Sequence, residues 1–489
     1  MAKNRRAFYD YGHGLINCRR IYLTSIIMTR DERQKTSVKK FIATGGRGCL
    51  VAVTAFGKTR IALHLIRHTR RSVPTRKAIV IVPTENLKEQ WEEELRKEKL
   101  DAHSEVIIIN TAIKRKLECD LLIIDEIHRT GAETFSRIFD TVKYRFILGL
   151  TGTLKRLDKK HKVIEEKCPV FDVISLKEAR ANGWVSDFLE VNLGLHLPPA
   201  DLIWYKEIEE KYNKAMDLFD WDFGVMFKCG SSIKPLPPKK TREGTLYIDP
   251  PAVAVARSKG WKGNSAYTAW QKYMDGEREA EWWGHDFVHA YHPKKIAIIA
   301  VNGIRSISAI RKFVSNHPSK VTAALEILGK FERKTITFAE STAIADELTK
   351  KLNEIPPFPL AKSYHSALSP IIVAGKKLSK KATGHHVLES FRINDCTILN
   401  TAKKLDEGAD FPSVTQGVRL AGTSSPTQQT QRRGRIIRAV EGKFALMWNI
   451  YLIDTMEVRW LKRSQNYSSD ILWTENIDEV LEILHEADE

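Results

Sequence analysis

From Cys49 to Leu150 the chain repeats one pattern, a short uninterrupted apolar run followed by a longer stretch with apolar residues at helical spacing. The runs are Leu50 to Val53, Ala78 to Val82, Val106 to Ile109, Leu121 to Ile124 and Phe146 to Leu150. Apolar runs of strand length that do not alternate are buried on both faces, and helical stretches between them supply crossovers, so the pattern predicts an α/β domain with a parallel sheet. After Lys58, the residues Ile61, Ala62, Leu65 and Ile66 fall on one helical face. The rhythm returns at Thr335 to Ala339, Thr397 to Asn400, Val418 to Ala421 and Phe444 to Leu452, with a helix expected over Ala343 to Leu352. At 489 residues the chain exceeds what one hydrophobic core serves, which agrees with two sheets.

Between the sheets the pattern changes. Trp204, Trp221, Trp261, Trp270, Trp282 and Trp283 crowd this region, Leu202 to Leu218 reads as helix, and Lys234 to Lys240 carries a Pro/Lys loop signal. The tryptophans fit either the core of a helical module or a surface that stacks unwound bases. At the far end, Ile477, Val480, Leu481 and Leu484 form an apolar stripe among carboxylates, the mark of an amphipathic helix packed on the second sheet domain. The expected organisation is a basic N-terminal segment (1–29), a first parallel-sheet domain (30–197), a mainly helical insertion or connector (198–316), a second parallel-sheet domain (317–465) and an acidic C-terminal helix (466–489).

The formal net charge of +18 favours a polyanionic partner, because Lys and Arg facing phosphates release condensed counterions; a merely solvated basic surface is the bland alternative. The six cysteines are scattered without a Cys-x-x-Cys pair, which points to a reducing compartment rather than a disulfide or zinc framework. No apolar run approaches the ~20 residues of a membrane helix, and no apolar segment follows the basic Met1 to Arg6 at signal-peptide distance, so a cytoplasmic location away from membranes is expected.

Three stretches carry candidate chemistry. Ala52-Val53-Thr54-Ala55-Phe56-Gly57-Lys58-Thr59 reads as a phosphate loop, in which backbone N–H groups converge on phosphates, Lys58 reaches the terminal oxygens and Thr59 completes a magnesium shell. Ala52 and Ala55 replace residues that are usually glycine, and an alanine held at positive φ costs about 1 kcal/mol. Leu121 to Ile124 leads into Asp125 and Glu126, placing two carboxylates at a strand end, one to orient magnesium and one to polarise a water, with His128 behind them. Gln431-Arg432-Arg433-Gly434-Arg435-Ile436-Ile437-Arg438 puts Gln431, Arg435 and Arg438 on one face if the stretch is helical. Alone it reads as a solvated basic helix; beside Lys58, Asp125 and Glu126 it reads as arginine fingers that stabilise charge on a transferred phosphoryl group. His285 and His289, with His292 nearby, resemble a zinc helix in spacing only and are read as structural, since no third ligand is evident.

In their order these motifs resemble superfamily 2 helicases of the DExH type over residues 30 to 190 and 318 to 465, closest in flavour to the XPB-like, RecG-like and phage UvsW-like enzymes. Val82-Pro83-Thr84 with Leu87, Gln90 and Trp91 looks like a strand-contacting motif, and Asn110-Thr111 like the next. Gly149-Leu150-Thr151-Gly152-Thr153-Leu154-Lys155-Arg156-Leu157-Asp158 is similar to the coupling segment, with Gly152 for alanine and Leu154 for proline. Thr337 to Ser341 and Thr401 through Glu407-Gly408-Ala409-Asp410-Phe411-Pro412 look like the fourth and fifth motifs.

The resemblance implies two tandem RecA-like domains that use ATP and Mg2+, and movement on DNA, usually 3′ to 5′. Carried over residue by residue, it implies nucleotide contacts from Gln34, Ala55, Phe56, Gly57, Lys58, Thr59, Arg60, Asp125, Gly408 and Asp410, with magnesium held by Thr59 and, through water, Asp125. It implies catalysis by Lys58, Glu126, Gln431, Arg435 and Arg438, nucleic-acid contacts from Thr84, Asn110, Thr111, Ser341 and Thr401, and coupling through His128, Thr151 and Thr153. The expected activity is that of an ATP-dependent DNA helicase or translocase on single-stranded, forked, branched or recombination DNA, with a phage or mobile element as the expected source. RNA as the track, a motor subunit of a restriction or defence complex, and a decayed ATPase that only binds nucleic acid are the alternatives.

Overall fold

The computed structural model describes residues 28–131, 133–154, 161–231, 233–277, 282–284, 288–354, 361–402, 411, 413–421, 426–438, 443–465 and 471–488. The chain forms two compact units, one comprising Met1–Leu195, Pro318–Tyr451 and Met456–Glu489, the other His196–His317 with Leu452–Thr455.

The first unit holds two large sheets. Its first lobe contains β1 (Arg47–Ala52), β2 (Ala78–Val82), β3 (Ser104–Ile108), β4 (Leu117–Asp125), β5 (Val142–Thr151) and β6 (Val170–Ile174), arranged β3-β2-β4-β5-β1-β6. Every neighbouring pair is parallel, as non-alternating apolar runs require. The C-terminal ends of β1 and β4 therefore open on one edge, where ligands bind in open parallel sheets. Helix Lys58–Ser72 buries Ile61, Ala62, Leu63, Leu65 and Ile66 against that sheet. Helix Arg30–Ala43 starts at a capping box between Thr29 and Glu32 and is fixed to β6 through Asp172, which Arg33, Ser37 and Lys40 contact at 2.7, 2.7 and 2.6 Å.

The second sheet has the order β11-β14-β10-β15-β16-β7-β17. Its strands are β10 (Thr335–Ala339), β11 (Ala361–His365), β14 (Ile398–Ala402), β15 (Gln416–Arg419), β16 (Phe444–Leu452), β7 (Asp187–Leu195) and β17 (Ile471–Thr474). Two short strands, β12 (Ile372–Val373) and β13 (Lys376–Lys377), form a hairpin beside it.

The two sheets and the crossover helices match the expected α/β class, and β2, β10 and β16 have the bounds read from the apolar runs. Domain limits differ at one instructive place. Residues 187–195 were expected in the first domain, yet β7 lies in the second sheet between β16 and β17. The tail likewise adds β17 to that sheet before helix Ile477–Asp488, whose Ile477 and Val480 are buried as its stripe predicts. Strands β6 and β11 gave no apolar run because both are edge strands in which polar residues interrupt the pattern, Asp172 in one and Lys362 and Ser363 in the other.

The second unit is mainly helical, with helices Pro199–Leu218, Phe223–Cys229, Pro251–Ser258, Ala266–Met274 and Pro293–Asn316 and a small hairpin of β8 (Lys239–Thr241) and β9 (Gly244–Leu246). Trp261, Trp282 and Trp283 are buried, and Trp261 meets Trp283 edge-to-face at 6.4 Å. Half of the tryptophan cluster is thus core, whereas Trp204 and Trp221 are exposed. His292 caps the last helix by accepting from Lys294 N at 3.2 Å, a structural role; His285 lies outside the described residues. Among the described residues no cluster of metal-ligating side chains occurs, and no helix is long and apolar enough to cross a membrane.

Candidate functional site

The loop after β1 turns sharply because two of its residues occupy the left-handed region, Ala55 at φ 70° and Gly57 at φ 95°. Gly57 is required twice over, since a Cβ there would also meet the Gln34 amide nitrogen at 2.6 Å. The loop is anchored by Val53 N–H on the Ile174 carbonyl and by the Gln34 side-chain amide, which donates to the Phe56 carbonyl at 2.9 Å. Gln34 is buried and braces the loop from behind. The Phe56 ring is buried against Trp184, so only its backbone belongs to the loop surface. Lys58 and Thr59 open the following helix with its N-terminus toward the cleft, and Lys58 Nζ lies 3.4 Å from the Ala52 carbonyl.

Asp125 ends β4, and Glu126 turns back at φ 50°, a conformation that costs a non-glycine residue about 1–3 kcal/mol and collects at functional sites. Asp125 accepts from the Trp91 indole N–H at 2.9 Å and from the Glu126 N–H at 3.0 Å. Burial, and then the neighbouring Glu126 charge, push the Asp125 carboxyl up to about 6. Burial would raise Glu126 as well, but its hydrogen bond to His128 and the Lys58 charge outweigh burial and hold it below the ordinary carboxylate range.

Behind Glu126 runs a chain of polar contacts. His128 Nδ1 lies 3.2 Å from Glu126 Oε2 and 3.0 Å from the Thr151 hydroxyl, while Thr151 donates to the Thr153 carbonyl at 2.8 Å. Since the single hydroxyl proton of Thr151 points at Thr153, its oxygen accepts from His128, and Nδ1 carries the ring proton shared with Glu126. The three residues expected to couple are thus physically continuous with the carboxylate that faces the cleft.

The opposite wall comes from the second lobe. Helix Pro426–Gly434 carries Gln431 and ends at Gly434, so Arg435 and Arg438 do not extend its face as the spacing suggested. Arg435 lies in the closing turn, and Arg438 forms an antiparallel bridge with Val185. Ser186 then grips both sides of that bridge, its N–H on the Ile437 carbonyl at 2.9 Å and its hydroxyl on the Arg438 carbonyl at 2.7 Å. Gly434 presses directly on the phosphate loop: a Cβ added there would fall 2.2 Å from the Cβ of Thr54, whose hydroxyl donates to the Thr430 carbonyl. At Gly152, by contrast, a Cβ would find ordinary contacts of 3.5 and 3.6 Å, so the swap of glycine for alanine leaves that junction intact.

Both walls line one cavity of about 400 Å³, which brings together Lys58, Thr59, Arg60, Asp125, Glu126, Gln431, Arg435 and Arg438. Ala55 and Gly57 contribute to its floor. Four of these side chains are cationic, a donor set suited to a polyphosphate, and the Thr59 hydroxyl and Asp125 carboxylate supply the hard oxygens a magnesium ion takes. Sequence reading gave no individual role to Thr54 or Arg30, which also line the cavity, and placed Trp91 with the strand contacts although its indole holds Asp125. The Trp91 signal was available: an indole N–H in a buried helix face needs an acceptor.

The expected nucleic-acid residues separate. Asn110 and Thr111 are exposed in the short helix after β3. Thr84 and Ser341 each begin a helix and accept from a backbone N–H three residues on, at 3.4 and 3.3 Å. Thr401 is the correction: it is 2% exposed inside β14 and its hydroxyl donates to the Thr337 carbonyl at 2.6 Å, which leaves it no surface to offer a phosphate. Gly408 and Asp410 lie outside the described residues.

Comparison with known proteins places this arrangement. A family model described as the res subunit of type III restriction enzymes matches residues 27–120 and 109–156, and one described as the helicase conserved C-terminal domain matches residues 319–440. The chain is 22% identical over 439 residues to the DNA 3′-5′ translocase XPB2 of Sulfurisphaera tokodaii, covering 85% of this chain and 80% of the relative. It is 32% identical over 151 residues, 26% of this chain and 28% of the relative, to an African swine fever virus protein provisionally named an ATP-dependent RNA helicase. Among solved structures, the type ISP restriction-modification enzyme LlaBIII bound to DNA aligns with a TM-score of 0.51 at 12% identity, covering 93% of this chain and 32% of that one.

Proposed function

Because the chain belongs to the superfamily 2 helicases, we propose that it hydrolyses ATP to move along DNA, and that forked or branched DNA is its preferred track. The observation that carries this reading is the single cavity in which Lys58, Thr59, Asp125 and Glu126 face Gln431, Arg435 and Arg438. In it Lys58 and the two arginines would hold negative charge from opposite sides, Glu126 would polarise an attacking water, and Thr59 and Asp125 would hold a magnesium ion. Bound magnesium would supply neutralisation of the phosphate charge. As the arginines belong to one lobe and the lysine to the other, their shared grip ties the state of the cleft to the relative position of the lobes. The His128–Thr151–Thr153 chain gives Glu126 a connection to the segment after β5.

DNA rather than RNA is favoured by the Sulfurisphaera tokodaii relative, which is named as a DNA translocase and aligns with most of this chain. A second reading, the motor part of a restriction or defence assembly, is favoured by the family model matched by the first lobe. The test is ATP hydrolysis measured with single strands, forks, four-way junctions and RNA at stated salt. Fork DNA should stimulate most, and Lys58→Ala or Arg435→Ala should lower the stimulated rate about 1000-fold. Stimulated hydrolysis that survives Lys58→Ala would remove this cavity as its site.

A further inference from the structure

We propose that Glu190 of β7 is the positioning residue of the second wall: it fixes the rotation of helix Pro426–Gly434 and so aims Gln431, Arg435 and Arg438 into the cavity. The inference rests on the reading of that cavity as an ATP site and names a residue that acts on it from outside. Ser186, Glu190, Asn449 and Gln465 lie outside residues 27–156 and 319–440, so the family match assigns none of them a role.

The helix has two working faces. Gln429 and Arg433 are one turn apart and meet the same carboxylate: Gln429 Nε2 donates to Glu190 Oε1 at 2.8 Å, and Arg433 Nη1 lies 3.8 Å from Glu190 Oε2. Gln431 is two residues from each, which at about 100° per residue puts it on the opposite side, and there it lines the cavity.

The anchor is itself held from elsewhere in the second sheet. Glu190 and Asn192 share one face of β7, being two residues apart. Asn449 of β16 donates to Glu190 Oε1 at 2.9 Å and to Asn192 Oδ1 at 2.8 Å. Gln465, just past helix Met456–Ser464, donates to the same two oxygens at 2.8 and 2.9 Å. A carboxylate suits this place, since one oxygen takes three N–H donors while the other faces a guanidinium, all in a buried setting that strengthens such contacts. Immediately before β7, Ser186 holds the Ile437 and Arg438 carbonyls, so one continuous segment grips both the helix and the arginines that follow it.

Glu190 is 0% exposed and cannot touch a nucleotide, so its influence passes through the helix. With side-chain ends about 5 Å from the axis, a rotation of about 10° shifts Gln431 by about 1 Å. A shift of that size costs about 100-fold in a catalytic arrangement.

The experiment uses the full chain and steady-state ATP hydrolysis with saturating fork DNA. Glu190→Gln keeps the shape but removes the charge, and should lower kcat by ~10- to 100-fold with the ATP KM within ~3-fold, the mark of an interaction that matters in the transition state. Exchanging the pair, Glu190→Gln with Gln429→Glu, returns a carboxylate beside Arg433 and should restore kcat to within ~3-fold of wild type. Amide exchange supplies a reading that needs no turnover. The Ile436 and Ile437 N–H groups, which donate to the Arg433 carbonyl at 2.9 and 3.2 Å, should exchange ~10-fold faster in Glu190→Gln while Ile123 in β4 is unchanged. An unchanged kcat, a KM that rises as far as kcat falls, an exchanged pair as slow as the single variant, or unchanged exchange at Ile436 and Ile437 overturns the proposal. Should Glu190→Gln not fold, Ser186→Ala carries the test, with an expected ~3- to 10-fold fall in kcat at constant KM; wild-type turnover there overturns it equally. Faster exchange in Glu190→Gln together with a wild type that hydrolyses no ATP would overturn the ATP-site reading and leave Glu190 as the residue that places the arginines.

Discussion

On one wall of the cavity Asp125 ends β4 and Lys58 opens the helix after β1, so each functional group is placed by a strand end or a helix start that its own local sequence defines, with left-handed backbone at Ala55 and Glu126 aiming the loops and Gln34 and Trp91 bracing them. On the other wall Arg435 and Arg438 lie past the end of a helix, and distant segments hold them. Val185 and Ser186 clamp the arginine segment, and the helix before it is fixed by buried Glu190, which accepts from Gln429, Asn449 and Gln465 at 2.8, 2.9 and 2.8 Å. A buried polar network of this kind ties distant segments to one arrangement, and removing a member leaves costly unpaired groups. The first wall is therefore a local geometry and the second a long-range assembly, anchored by a strand that sequence order would have assigned to the other lobe.

The largest expected effect strikes the junction of the two walls. Gly434→Ala puts a methyl carbon where the Thr54 side chain stands, and neither backbone can yield without opening the cavity. A displacement near 1 Å in a catalytic arrangement costs about 100-fold in rate, so stimulated ATP hydrolysis should fall by about that factor while folding is retained. Thr54→Gly in the same chain should recover part of the loss by clearing the space. A Gly434→Ala protein with wild-type turnover would show that the cleft works in a wider arrangement than the one described.

The same contrast accounts for what could be read from the chain alone. Lys58, Thr59, Asp125 and Glu126 were legible because strand-end chemistry is local: an apolar run followed by the right residue types is enough. Gln431, Arg435 and Arg438 were legible as a group from their spacing, but their route into the cavity was not, because it depends on Val185 and Ser186 some 250 positions earlier. Thr401 was misplaced because a threonine in a strand has the same residue type whether its hydroxyl faces solvent or a neighbouring strand's carbonyl. Strand β7 escaped for a related reason, since Glu190 and Asn192 interrupt its apolar pattern and serve a network formed only when the second lobe is assembled. Edge strands β6 and β11 were lost to the polar residues that edges tolerate, whereas edge strand β3 kept enough of an apolar run to be read.

A second prediction tests how the first wall is backed. Burial would raise the Asp172 carboxyl, but Arg33, Lys40 and Ser37 hydrogen bonds dominate and hold it at about 2, below the ordinary value of 3.8. A depressed folded value means that the stabilisation is complete above about pH 4 and is lost as pH falls toward 2, amounting to about 2 kcal/mol for a shift of this size. Amide exchange in helix Arg30–Ala43, followed in wild type and Asp172→Asn, should differ strongly at pH 6 and converge toward pH 2. Parallel behaviour across that range would mean that the helix is held by its apolar face alone. Because Gln34 of this helix braces the Phe56 carbonyl, wild-type nucleotide affinity should weaken over the same interval while the second wall keeps its arrangement.

The smallest effect is the sharpest probe of the loop itself. Ala55 has φ 70°, where a β-carbon costs about 1 kcal/mol relative to glycine, and the residue lines the cavity. Ala55→Gly removes that strain but adds freedom to the unfolded chain worth about 0.5–1 kcal/mol, so the two terms nearly cancel in stability. What remains is a change in how firmly the loop is preset, and nucleotide affinity should move by less than about fivefold, the factor that 1 kcal/mol represents. Equilibrium binding of ATP to the variant, measured with Glu126→Gln in both proteins to suppress turnover, reads this directly. A loss beyond tenfold would mean that the Ala55 methyl touches the nucleotide, turning a strained spacer into a contact residue and making the first wall less purely a matter of backbone shape.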